Sequence, residues 1–527
     1  MLNSVDFSGR PFHFIGIGGI GMSALAHVLA SRGLPVSGSD LRLNAITERL
    51  EKKGARIFNQ QQAENLAFFA QRNGPVDNGP VDNGPVDNGP AAKLPQVVCS
   101  TAIGKDNAEY KEAIALGCPL FHRSDILAAL MNEKQGIAIA GTHGKTTTSS
   151  ITGYLLLKCG VDPTIIIGGE VSAWSGNAYV GQSNYVVAEA DESDGSLVKL
   201  SSYIGVITNI ELDHPDHYSS LDQVVEIFDR FVDNCELVIG SADCPTVREL
   251  VFAEPRQRVK PTISYSVQPD SVQPGSVQPA NTSQNQDSLS PAQTSADYIA
   301  TNISESAAGT SADIVERGQT LGRLTVPLLG LHNLSNALAA IAVARYLNVS
   351  FEQIATHLPN FQGARRRFEH RGFYKEILFI DDYAHHPSEV KATLAAAQVQ
   401  RSEPLPSGQA RQVVAVFQPH RYSRAATLLN EFATAFAGAD RILVTDIYSA
   451  GETNTANITG EQVMQAIAQH QPNTEYCPTM DAVLKTLKTS LSPGDIVIFL
   501  TAGNLNQVIP EVMMAYQNAT QPEAALT

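Results

Sequence analysis

Short apolar runs alternate along the chain with longer segments in which apolar residues recur at helical spacing. The first run, Phe12–Ile15, is followed by a glycine-rich turn and an amphipathic segment that ends near Gly33. Strands that alternate with helices form parallel sheets covered by helices, so the pattern predicts an α/β fold with parallel sheets throughout. We expect further strands at LPVSGSD, QVVCSTAI, GIAIA, YVV, YIGVITNI, LGRLTVPLL, ILFIDDYA, QVVAVFQP, RILVTDIY and DIVIFLTAG.

Two segments of low complexity interrupt this alternation. The first, at about residues 73–92, repeats the unit NGPVD, whose Asn-Gly and Gly-Pro pairs favour turns over regular elements. The second, at about residues 266–311, begins with repeats of SVQP and continues as a tract rich in Ser, Thr, Gln and Asn. Because both contain few large apolar residues, we expect them to be flexible inserts. The remaining pattern predicts three domains, at residues 1–132, 133–361 and 362–527.

The composition narrows the class of protein without identifying it. A chain of 527 residues with 43% hydrophobic and 17% charged residues is long enough for several ordinary cores. Its net charge of −16 argues against nucleic acid as a partner and against a surface for anionic membranes. The six cysteines show neither C-x-x-C pairs nor regular spacing, which favours reduced thiols. With no visible secretory signal and no long apolar run, we expect a cytoplasmic protein without membrane insertion.

The sequence GIAIAGTHGKTTTSS, at residues 136–150, combines an apolar strand with a glycine loop and the start of a helix. This arrangement is typical of a nucleoside triphosphate site, since backbone N–H groups and the helix N-terminus face the phosphates. Lys145 is expected to reach the β- and γ-phosphates, and the Thr146 hydroxyl to bind Mg²⁺. Ile139 occupies the place of the first glycine in the general motif G-x-x-x-x-G-K-[ST]. The loop predicts the use of ATP despite this departure.

A second glycine motif lies near the N-terminus. Gly16, Gly18 and Gly21 fit the pattern G-x-G-x-x-G between a strand and a helix, and Asp40 ends the next strand. In dinucleotide-binding proteins such a loop holds a pyrophosphate, and the acid binds a ribose hydroxyl. The motif indicates a ligand that carries a pyrophosphate and leaves its identity open. Glycines needed only for close packing of the strand on the helix would give the same pattern.

Acidic and imidazole side chains follow two further predicted strands. Glu189 ends the strand that contains YVV, and His214 lies shortly after the strand YIGVITNI. Because parallel-sheet proteins bind ligands at the carboxyl ends of their strands, both side chains are candidates to bind Mg²⁺ beside the triphosphate. Spacing also allows Glu189 to be a capping or surface acid and His214 a solvated turn residue, and it leaves His217 as an alternative ligand.

Several motifs together carry a resemblance to a known family. In chain order they are GIGGIGMS, GTHGKTTT, AEADESD, TNIELDHPDHY, GLHNLSNALAA, RRRFE, DDYAHHPSE and FQPHRYSR. The sequence resembles the Mur ligase family of peptidoglycan synthesis over nearly its whole length. The resemblance implies a Rossmann-like N-terminal domain for a UDP-sugar, a central ATPase domain with a phosphate loop and parallel sheet, and a Rossmann-like C-terminal domain. It also implies that the first glycine loop meets the diphosphate of the UDP-sugar, so that no nicotinamide is expected.

The resemblance further implies a reaction and its partners. We expect the ligation of L-alanine to the lactyl carboxylate of UDP-N-acetylmuramate through an acyl phosphate. The reaction is expected to use ATP and Mg²⁺, and the enzyme to be a monomer or weak homodimer. Three alternatives are a sibling ligase that adds a preformed peptide, a nicotinamide-dependent oxidoreductase fused to an ATPase, and a non-catalytic nucleotide switch.

Site residues follow from the matched motifs. The resemblance implies that Arg367 approaches the γ-phosphate, that Asp382 holds the ATP ribose, and that Mg²⁺ binds Thr146, Glu189 and His214. Catalytic roles are expected for Lys145, Glu189, His214, Arg367, His385 and Arg421. ATP is expected to bind Gly141, Thr142, His143, Gly144, Lys145, Thr146, Thr147, Asn333, Asn336 and Asp382. The other substrates are expected to bind Gly16, Gly18, Gly19, Gly21, Asp40 and Arg424.

Three points stay open within this assignment. Either Arg421 or Arg424 is expected to pair with the carboxylate of L-alanine through a two-pronged hydrogen bond. Either His385 or His386 is expected to accept the proton of the amine, although a pair of surface-turn histidines before Pro387 would give the same sequence. Thr501 replaces the first glycine of the family's usual G-A-G loop, and its Cβ would strain a backbone with positive φ.

Overall fold

The computed structural model describes residues 4–66, 94–253, 260–268, 296–402, 405, 407–408 and 410–518. The chain divides into two compact units. The first unit contains Met1–Ala140, Leu156–Val206 and Ile227–Leu237, and the second contains Gly141–Leu155, Ile207–Glu226 and Val238–Thr527. The predicted insert at residues 73–92 lies outside the described residues. The boundaries of the three expected domains remain predictions.

A five-stranded parallel sheet forms the N-terminal part of the first unit. Its central strand, Phe12–Ile15, is fully buried and leads into the first glycine loop. The strand order is Arg56–Phe58, Val36–Ser39, Phe12–Ile15, Gln96–Cys99 and Leu120–His122. The order reverses direction beside the central strand, which is where open α/β sheets bind their ligands. The expected Rossmann-like arrangement is confirmed here.

The second sheet has ten strands and contains Gln135–Ala140, which is buried after its first residue. This strand pairs in parallel with Tyr185–Glu189, so that Ile139 lies opposite Glu189. The strand order is Gln319–Val326, Gly309–Glu316, Tyr298–Ser306, Thr262–Val267, Cys235–Ser241, Ser202–Ile207, Gln135–Ala140, Tyr185–Glu189, Thr164–Val171 and Gly176–Tyr179. Glu189 is therefore the last residue of its strand, as predicted.

The prediction of parallel strands throughout is wrong for several pairs. Short connections at residues 307–308 and 317–318 join three antiparallel strands, because a parallel pair would need a much longer crossover. Arg317 and Gly318 both have positive φ, as a tight hairpin turn requires. The other antiparallel pairs are Thr164–Val171 with Gly176–Tyr179 and Glu369–Tyr374 with Ile377–Asp382.

The predicted insert at residues 266–311 is also wrong at both ends. Its first residues belong to the strand Thr262–Val267, and its last residues form strands from Tyr298 onward. Tyr298 and Ala300 are buried, and the residues between and after them are less so. The polar composition therefore conceals a two-residue alternation that is typical of a strand. Residues 269–295 lie outside the described residues.

A six-stranded sheet lies in the C-terminal part of the second unit. Its order is Glu369–Tyr374, Ile377–Asp382, Ile496–Leu500, Val413–Phe417, Arg441–Val444 and Thr474–Tyr476. The side chains of Val413–Phe417 are all buried and alternate between two cores. One core includes residues of the helix Pro387–Arg401, and the other includes residues of the helix Met480–Ser490. Helices on both faces thus bury the sheet, as the α/β pattern predicted.

Helices connect most of the strands. The α-helices whose bounds both lie within the described residues are Ile20–Ser31, Ala45–Lys52, Ala108–Ala115, Arg123–Asn132, Lys145–Lys158, Leu221–Asp233, Pro245–Val247, Leu331–Tyr346, Phe351–His357, Pro387–Arg401, Tyr422–Thr427, Leu429–Ala433, Gly460–Ala468, Met480–Ser490 and Ile509–Asn518. A π-helix spans Arg248–Phe252, and 3₁₀ helices span Ser172–Trp174, Ser196–Lys199, Leu358–Asn360 and Leu505–Val508. None of the helices in the described ranges is long and apolar enough to cross a bilayer.

Candidate functional site

The triphosphate loop of the second unit is built as its sequence predicts. Gly141 and Gly144 both have positive φ, and the helix Lys145–Lys158 begins directly after the loop. That helix has no acidic residue in its first turn, so its N-terminus keeps the positive potential that attracts anions. The Nζ of Lys145 folds back and donates to the carbonyl oxygens of Gly141 at 2.6 Å and Thr142 at 3.0 Å. The lysine thus lies over its own loop.

The segment after the strand Ser202–Ile207 fixes the backbone of this loop. The N–H of His143 donates to Oδ1 of Asn209 at 2.8 Å, and the Thr208 hydroxyl donates to the His143 carbonyl at 2.6 Å. The N–H of Thr142 donates to the Asn209 carbonyl at 3.0 Å. These bonds hold the backbone of the loop in place at Thr142 and His143.

Close contacts explain why two loop positions must be glycine. A Cβ at Gly141 would lie 2.0 Å from the Thr208 hydroxyl, and one at Gly144 would lie 2.5 Å from Oδ1 of Asn336. No side chain fits at either distance, and positive φ adds backbone strain for any other residue. The loop therefore has the tight, backbone-lined form that a chain of phosphates requires.

A pocket in the second unit brings several predicted ATP residues together. Its wall contains two loop residues, a threonine of the helix that follows the loop, two asparagines, an arginine and an acid from the predicted set: His143, Gly144, Thr147, Asn333, Asn336, Arg367 and Asp382. The Asn333 side chain donates to the Leu329 carbonyl at 2.8 Å, and the Thr148 hydroxyl donates to Oδ1 of Asn336 at 3.1 Å. Both asparagines are therefore held at the start of the helix Leu331–Tyr346, against the triphosphate loop.

Asp382 ends the strand Ile377–Asp382 and is buried. Its carboxylate accepts hydrogen bonds from the N–H groups of Phe368 at 2.7 Å and Ala384 at 2.8 Å. Burial raises its pKa to about 6, although the Arg367 charge and these two hydrogen bonds oppose the rise. An acid at the carboxyl end of a parallel strand is well placed to accept ribose hydroxyls.

Arg367 is held by an aromatic ring and a carboxylate. Its guanidinium lies 5.2 Å from the centre of the Tyr383 ring, and Nη1 lies 3.7 Å from Oε1 of Glu389. The neighbouring residues Arg366 and Phe368 both have positive φ, which is uncommon for residues with a Cβ. Strained backbone of this kind is frequent where a side chain must be aimed at a ligand. The Arg367 charge therefore projects into the pocket from a constrained turn.

The two neighbouring histidines have different tautomers. Nδ1 of His385 lies 2.8 Å from the Tyr383 carbonyl, to which it can only donate, so Nε2 is the basic nitrogen of the neutral ring. Nδ1 of His386 instead accepts from the Ser388 N–H at 3.3 Å, which leaves the proton on Nε2. Burial lowers the pKa of His385 to about 4 and lowers that of His386. Only His385 has a ring nitrogen available to accept a proton.

The two candidate arginines also differ. Arg424 is 2% exposed, and its Nε donates to Oδ1 of Asp213 at 2.8 Å in a buried ion pair. Arg421 is 30% exposed and bridges Asp216 and Glu452, each at 3.0 Å. Its φ of 68° marks another strained position. The accessible member of the pair is therefore Arg421, and Arg424 anchors the segment that carries His214.

In the first unit, the N-terminal glycine loop closes on Asp40. The Gly18 N–H donates to Oδ2 of Asp40 at 2.9 Å, and a Cβ at Gly18 would lie 2.8 Å from the same oxygen. Gly19 begins the helix Ile20–Ser31 without a side-chain cap, and no acid lies in the first turn. A Cβ at Gly21 would come within 3.7 Å of Nη1 of Arg123. The loop offers amides and a helix N-terminus to a diphosphate, and the nearby Arg123 is paired with Asp191 at 2.7 Å and Asp194 at 3.3 Å.

The predicted Mg²⁺ residues lie in both units. Glu189 belongs to the first unit, where its Oε2 accepts from the Gly168 N–H at 2.8 Å. Thr146 and His214 belong to the second unit, where Thr146 is buried and His214 has a φ of 55°. The alternative imidazole, His217, packs edge-on against Tyr218 with ring centres 4.6 Å apart. That these three residues bind one Mg²⁺ stays a prediction.

Comparison with known proteins assigns the chain to a family. The family models described as Mur ligase catalytic domain, Mur ligase middle domain and Mur ligase glutamate ligase domain match residues 11–135, 139–344 and 366–503. The chain belongs to the Mur ligase family. It is 56% identical over 513 residues to the UDP-N-acetylmuramate–L-alanine ligase of Trichormus variabilis, which covers 97% of this chain and 98% of that protein.

Solved structures agree with the family assignment. The UDP-N-acetylmuramate-alanine ligase of Thermotoga maritima is 25% identical, with a TM-score of 0.73, and the match covers 97% of this chain and 100% of that chain. A murein peptide ligase of Psychrobacter arcticus is 21% identical with a TM-score of 0.67, and covers 98% of this chain and 100% of that chain. At that identity the second structure shows the shared fold alone. The three matched regions confirm the three-part α/β architecture of a Mur ligase.

Several residues of this Mur ligase site were missed by sequence reasoning. His332, Phe368, Glu211, Ser388 and Glu389 also line the pocket. Glu389 stands three residues after His386 and forms a capping box with it, a spacing that the sequence HHPSE displays. Glu211 lies within the matched motif TNIELDHPDHY, where nothing distinguishes it from the neighbouring acids.

Proposed function

We propose that this Mur ligase joins L-alanine to the lactyl carboxylate of UDP-N-acetylmuramate and converts ATP to ADP and phosphate. One observation carries the nucleotide half of the proposal: the triphosphate loop, Arg367 and Asp382 line a single pocket. A phosphate loop alone would suit many ATPases. Beside the loop, Arg367 can bind the γ-phosphate, and Asp382 can accept hydrogen bonds from the ribose hydroxyls. The alanine ligase of Trichormus variabilis, 56% identical over nearly the whole chain, supports the choice of amino acid and sugar nucleotide.

Mg²⁺ is assigned to Thr146, Glu189 and His214. The carboxylate of Glu189 and the hydroxyl of Thr146 supply the oxygen ligands that this ion prefers, and a single imidazole is compatible with them. When bound, the ion neutralises phosphate charge and holds the γ-phosphoryl group for transfer. Thr146 follows the lysine of the triphosphate loop, which is the usual place for the Mg²⁺-binding hydroxyl.

The first chemical step activates the carboxylate. An oxygen of the lactyl carboxylate attacks the γ-phosphorus, the bond from that phosphorus to the β-bridging oxygen breaks, and ADP leaves. Because carboxylate and triphosphate are both anions, one unit-charge pair at about 4 Å repels by roughly 4 kcal/mol at an effective dielectric of about 20. Lys145 and Arg367 are proposed to offset this repulsion, and both belong to the second unit.

The second step forms the amide. The neutral amine of L-alanine attacks the acyl carbon, and the tetrahedral intermediate releases phosphate together with the former carboxylate oxygen. We assign proton removal to His385, because its Nδ1 faces the Tyr383 carbonyl and its Nε2 is left basic. Arg421 is assigned to the alanine carboxylate, since Arg424 is buried in its pair with Asp213.

An isotope experiment tests the proposal directly. UDP-N-acetylmuramate labelled with ¹⁸O in its lactyl carboxylate is incubated with the full chain, ATP, Mg²⁺ and L-alanine. One labelled oxygen should appear in the released phosphate for each amide formed, as measured by mass spectrometry. Phosphate that forms with the amide but without label would contradict the acyl phosphate.

A matched assay tests the amino acid. The same reaction is run with L-alanine and with a tripeptide that begins with L-alanine, and phosphate release is followed. We expect release to depend on L-alanine and to stay at the background rate with the tripeptide. The reverse result would identify a peptide-adding sibling, and release that needs neither would favour a nucleotide switch.

A further inference from the structure

The His143 side chain, inside the triphosphate loop, contacts a carboxylate through each ring nitrogen. Its Nε2 lies 3.3 Å from Oε2 of Glu211, and its Nδ1 lies 3.5 Å from Oε1 of Glu389. Because a carboxylate only accepts, both ring nitrogens act as donors, and the ring is an imidazolium. Burial alone would lower the pKa of His143, but the hydrogen bonds and charges of Glu211 and Glu389 raise it to about 9.

The two carboxylates are held very differently. The Glu389 side chain is 13% exposed, and its Oε2 accepts from the N–H groups of His385 at 3.0 Å and His386 at 3.2 Å. The Glu211 side chain is 42% exposed, and its further side-chain partner is the Ser388 hydroxyl at 2.8 Å. Glu389 is therefore fixed at the start of a helix, whereas Glu211 can turn into water.

Few other charges face the imidazolium of His143. The His386 ring lies 4.6 Å away, and burial together with the His143 charge lowers its pKa, so it is neutral near pH 7. Arg367 lies beyond Glu389 and pairs with the same carboxylate. Lys145 donates to the carbonyl oxygens of Gly141 and Thr142. The charge state of His143 thus depends on Glu211 and Glu389.

We propose that the His143 side chain is a direct contact for the ATP phosphates, with Glu389 as its permanent partner and Glu211 as the partner that the triphosphate displaces. The inference rests on the proposed use of ATP. It extends the role of His143, which was expected only to offer its backbone, to a charged side chain. The Nδ1–H group keeps its hydrogen bond to Glu389. The Nε2–H group exchanges its acceptor, the Glu211 carboxylate, for a phosphate oxygen of ATP.

The exchange needs no movement of the loop. The backbone of His143 is fixed at its N–H by Asn209 and at its carbonyl by Thr208. The Glu211 side chain is 42% exposed, so water can solvate its carboxylate once it leaves the ring, which lowers the cost of its release. A charge-assisted hydrogen bond to phosphate inside the pocket is stronger. Removal of the Glu211 carboxylate also relieves its repulsion of the incoming anion.

The two carboxylates should therefore respond to neutralisation with opposite signs. Binding of the non-hydrolysable analogue AMP-PNP with Mg²⁺ is measured by calorimetry at pH 7.5 on the full chain. We expect H143Q to raise its Kd about tenfold, the loss of one charge-assisted bond. E389Q should raise Kd, because it removes the fixed partner of the ring. E211Q should leave Kd unchanged or lower it, because it removes a competitor of the triphosphate.

A double-mutant cycle isolates the role of Glu389, which also contacts His385 and Arg367. If Glu389 acts through His143, E389Q should add little further loss in the H143Q background. The ring of His143 is followed by NMR, with its signal identified by its absence in H143Q. Its midpoint near pH 9 should fall in E389Q. Thermal melting and binding of UDP-N-acetylmuramate serve as folding controls.

The outcomes separate this inference from the proposed function. Failure of the wild-type chain to bind AMP-PNP would overturn both. Normal binding by H143Q, or equal weakening by E211Q and E389Q, would overturn the role of His143 and leave the ligase reaction intact. An additive loss in the H143Q/E389Q variant would show that Glu389 acts elsewhere, which also contradicts the proposal.

Discussion

The two glycine loops of this chain share a backbone form but have side chains of opposite charge, Asp40 at the first loop and Lys145 at the second. Each follows a buried strand that has a parallel partner, uses glycine at positive φ and leads into a helix without an acid in its first turn. In the first unit the loop closes on the Asp40 carboxylate, which accepts from the Gly18 N–H. In the second unit the loop contains Lys145, which donates to the loop carbonyls.

In both loops the backbone geometry suits a phosphate, whereas the nearby side chains select the rest of the ligand. A carboxylate beside amides suits a diphosphate attached to a ribose, because the acid can accept sugar hydroxyls. A lysine beside amides suits a triphosphate, whose terminal group carries more charge and must be transferred. This contrast agrees with the proposed placement of the sugar nucleotide at the first loop and of ATP at the second.

Lys145→Ala should give the largest effect on activity, and it should impair the triphosphate loop without affecting the first glycine loop. The variant loses the cation that offsets the charge of the transferred phosphoryl group, so kcat for ADP formation should fall by at least about 10³-fold. Binding of UDP-N-acetylmuramate should stay within about twofold of wild type, because the first loop is untouched. Coupled detection of ADP and calorimetry with the sugar nucleotide measure the two properties. Loss of sugar-nucleotide binding with ATP turnover intact would mean that the ligands are exchanged.

Asp40→Asn is the matching change at the first loop. The amide can replace one carboxylate oxygen but cannot accept at both, so either the Gly18 N–H or the Arg42 N–H loses its partner. Together with the weaker bond to a ribose hydroxyl, we expect Kd for UDP-N-acetylmuramate to rise about tenfold. Binding of AMP-PNP should not change. Equal weakening of both ligands would show that the variant disturbs the fold and not one loop.

The sequence predicted these loops well because their requirements are local. A buried strand, a glycine at positive φ and a helix start lie within a few residues of one another, so the order of residues displays them. The roles of Glu211 and Glu389 depend instead on chain segments that are distant in sequence. His143 shows the limit, since its motif indicated a backbone contact and its ring pairs with both of these acids. A local sequence pattern does not show that two acids distant in sequence contact the same ring.

The errors in the fold have a related cause. Alternation of strands and helices predicted parallel pairing, but the hairpins from Tyr298 to Val326 depend on the length of short connections within a polar segment. Composition suggested flexibility there, although Tyr298 and Ala300 are buried. The tautomers of His385 and His386 also required structure, because adjacent identical residues differ only in which atom each Nδ1 faces.

A third glycine-bearing loop, after the strand Ile496–Leu500, shows what happens when a side chain replaces the first glycine. Thr501 does not have positive φ, so the strain expected from its Cβ is absent. Its hydroxyl donates to Oε1 of Gln418 at 2.8 Å and accepts from the Gly503 N–H at 2.9 Å. The residue is fully buried. Here a side chain of the loop itself fixes the loop, whereas side chains of neighbouring segments, Asp40 at the first loop and Thr208 and Asn209 at the second, fix the other two.

Thr501→Gly should therefore have the smallest effect on activity and a measurable effect on stability. The variant loses both hydroxyl hydrogen bonds and gains backbone freedom in the unfolded chain, which together should lower the free energy of unfolding by about 1–2 kcal/mol. Because no ATP residue proposed above depends on this hydroxyl, kcat should stay within about twofold. Thr501→Ser keeps the hydroxyl and should retain most of the stability in urea denaturation. A large loss of kcat in the glycine variant, with the serine variant normal, would show that this loop also binds a ligand. It would then not differ in function from the two glycine loops.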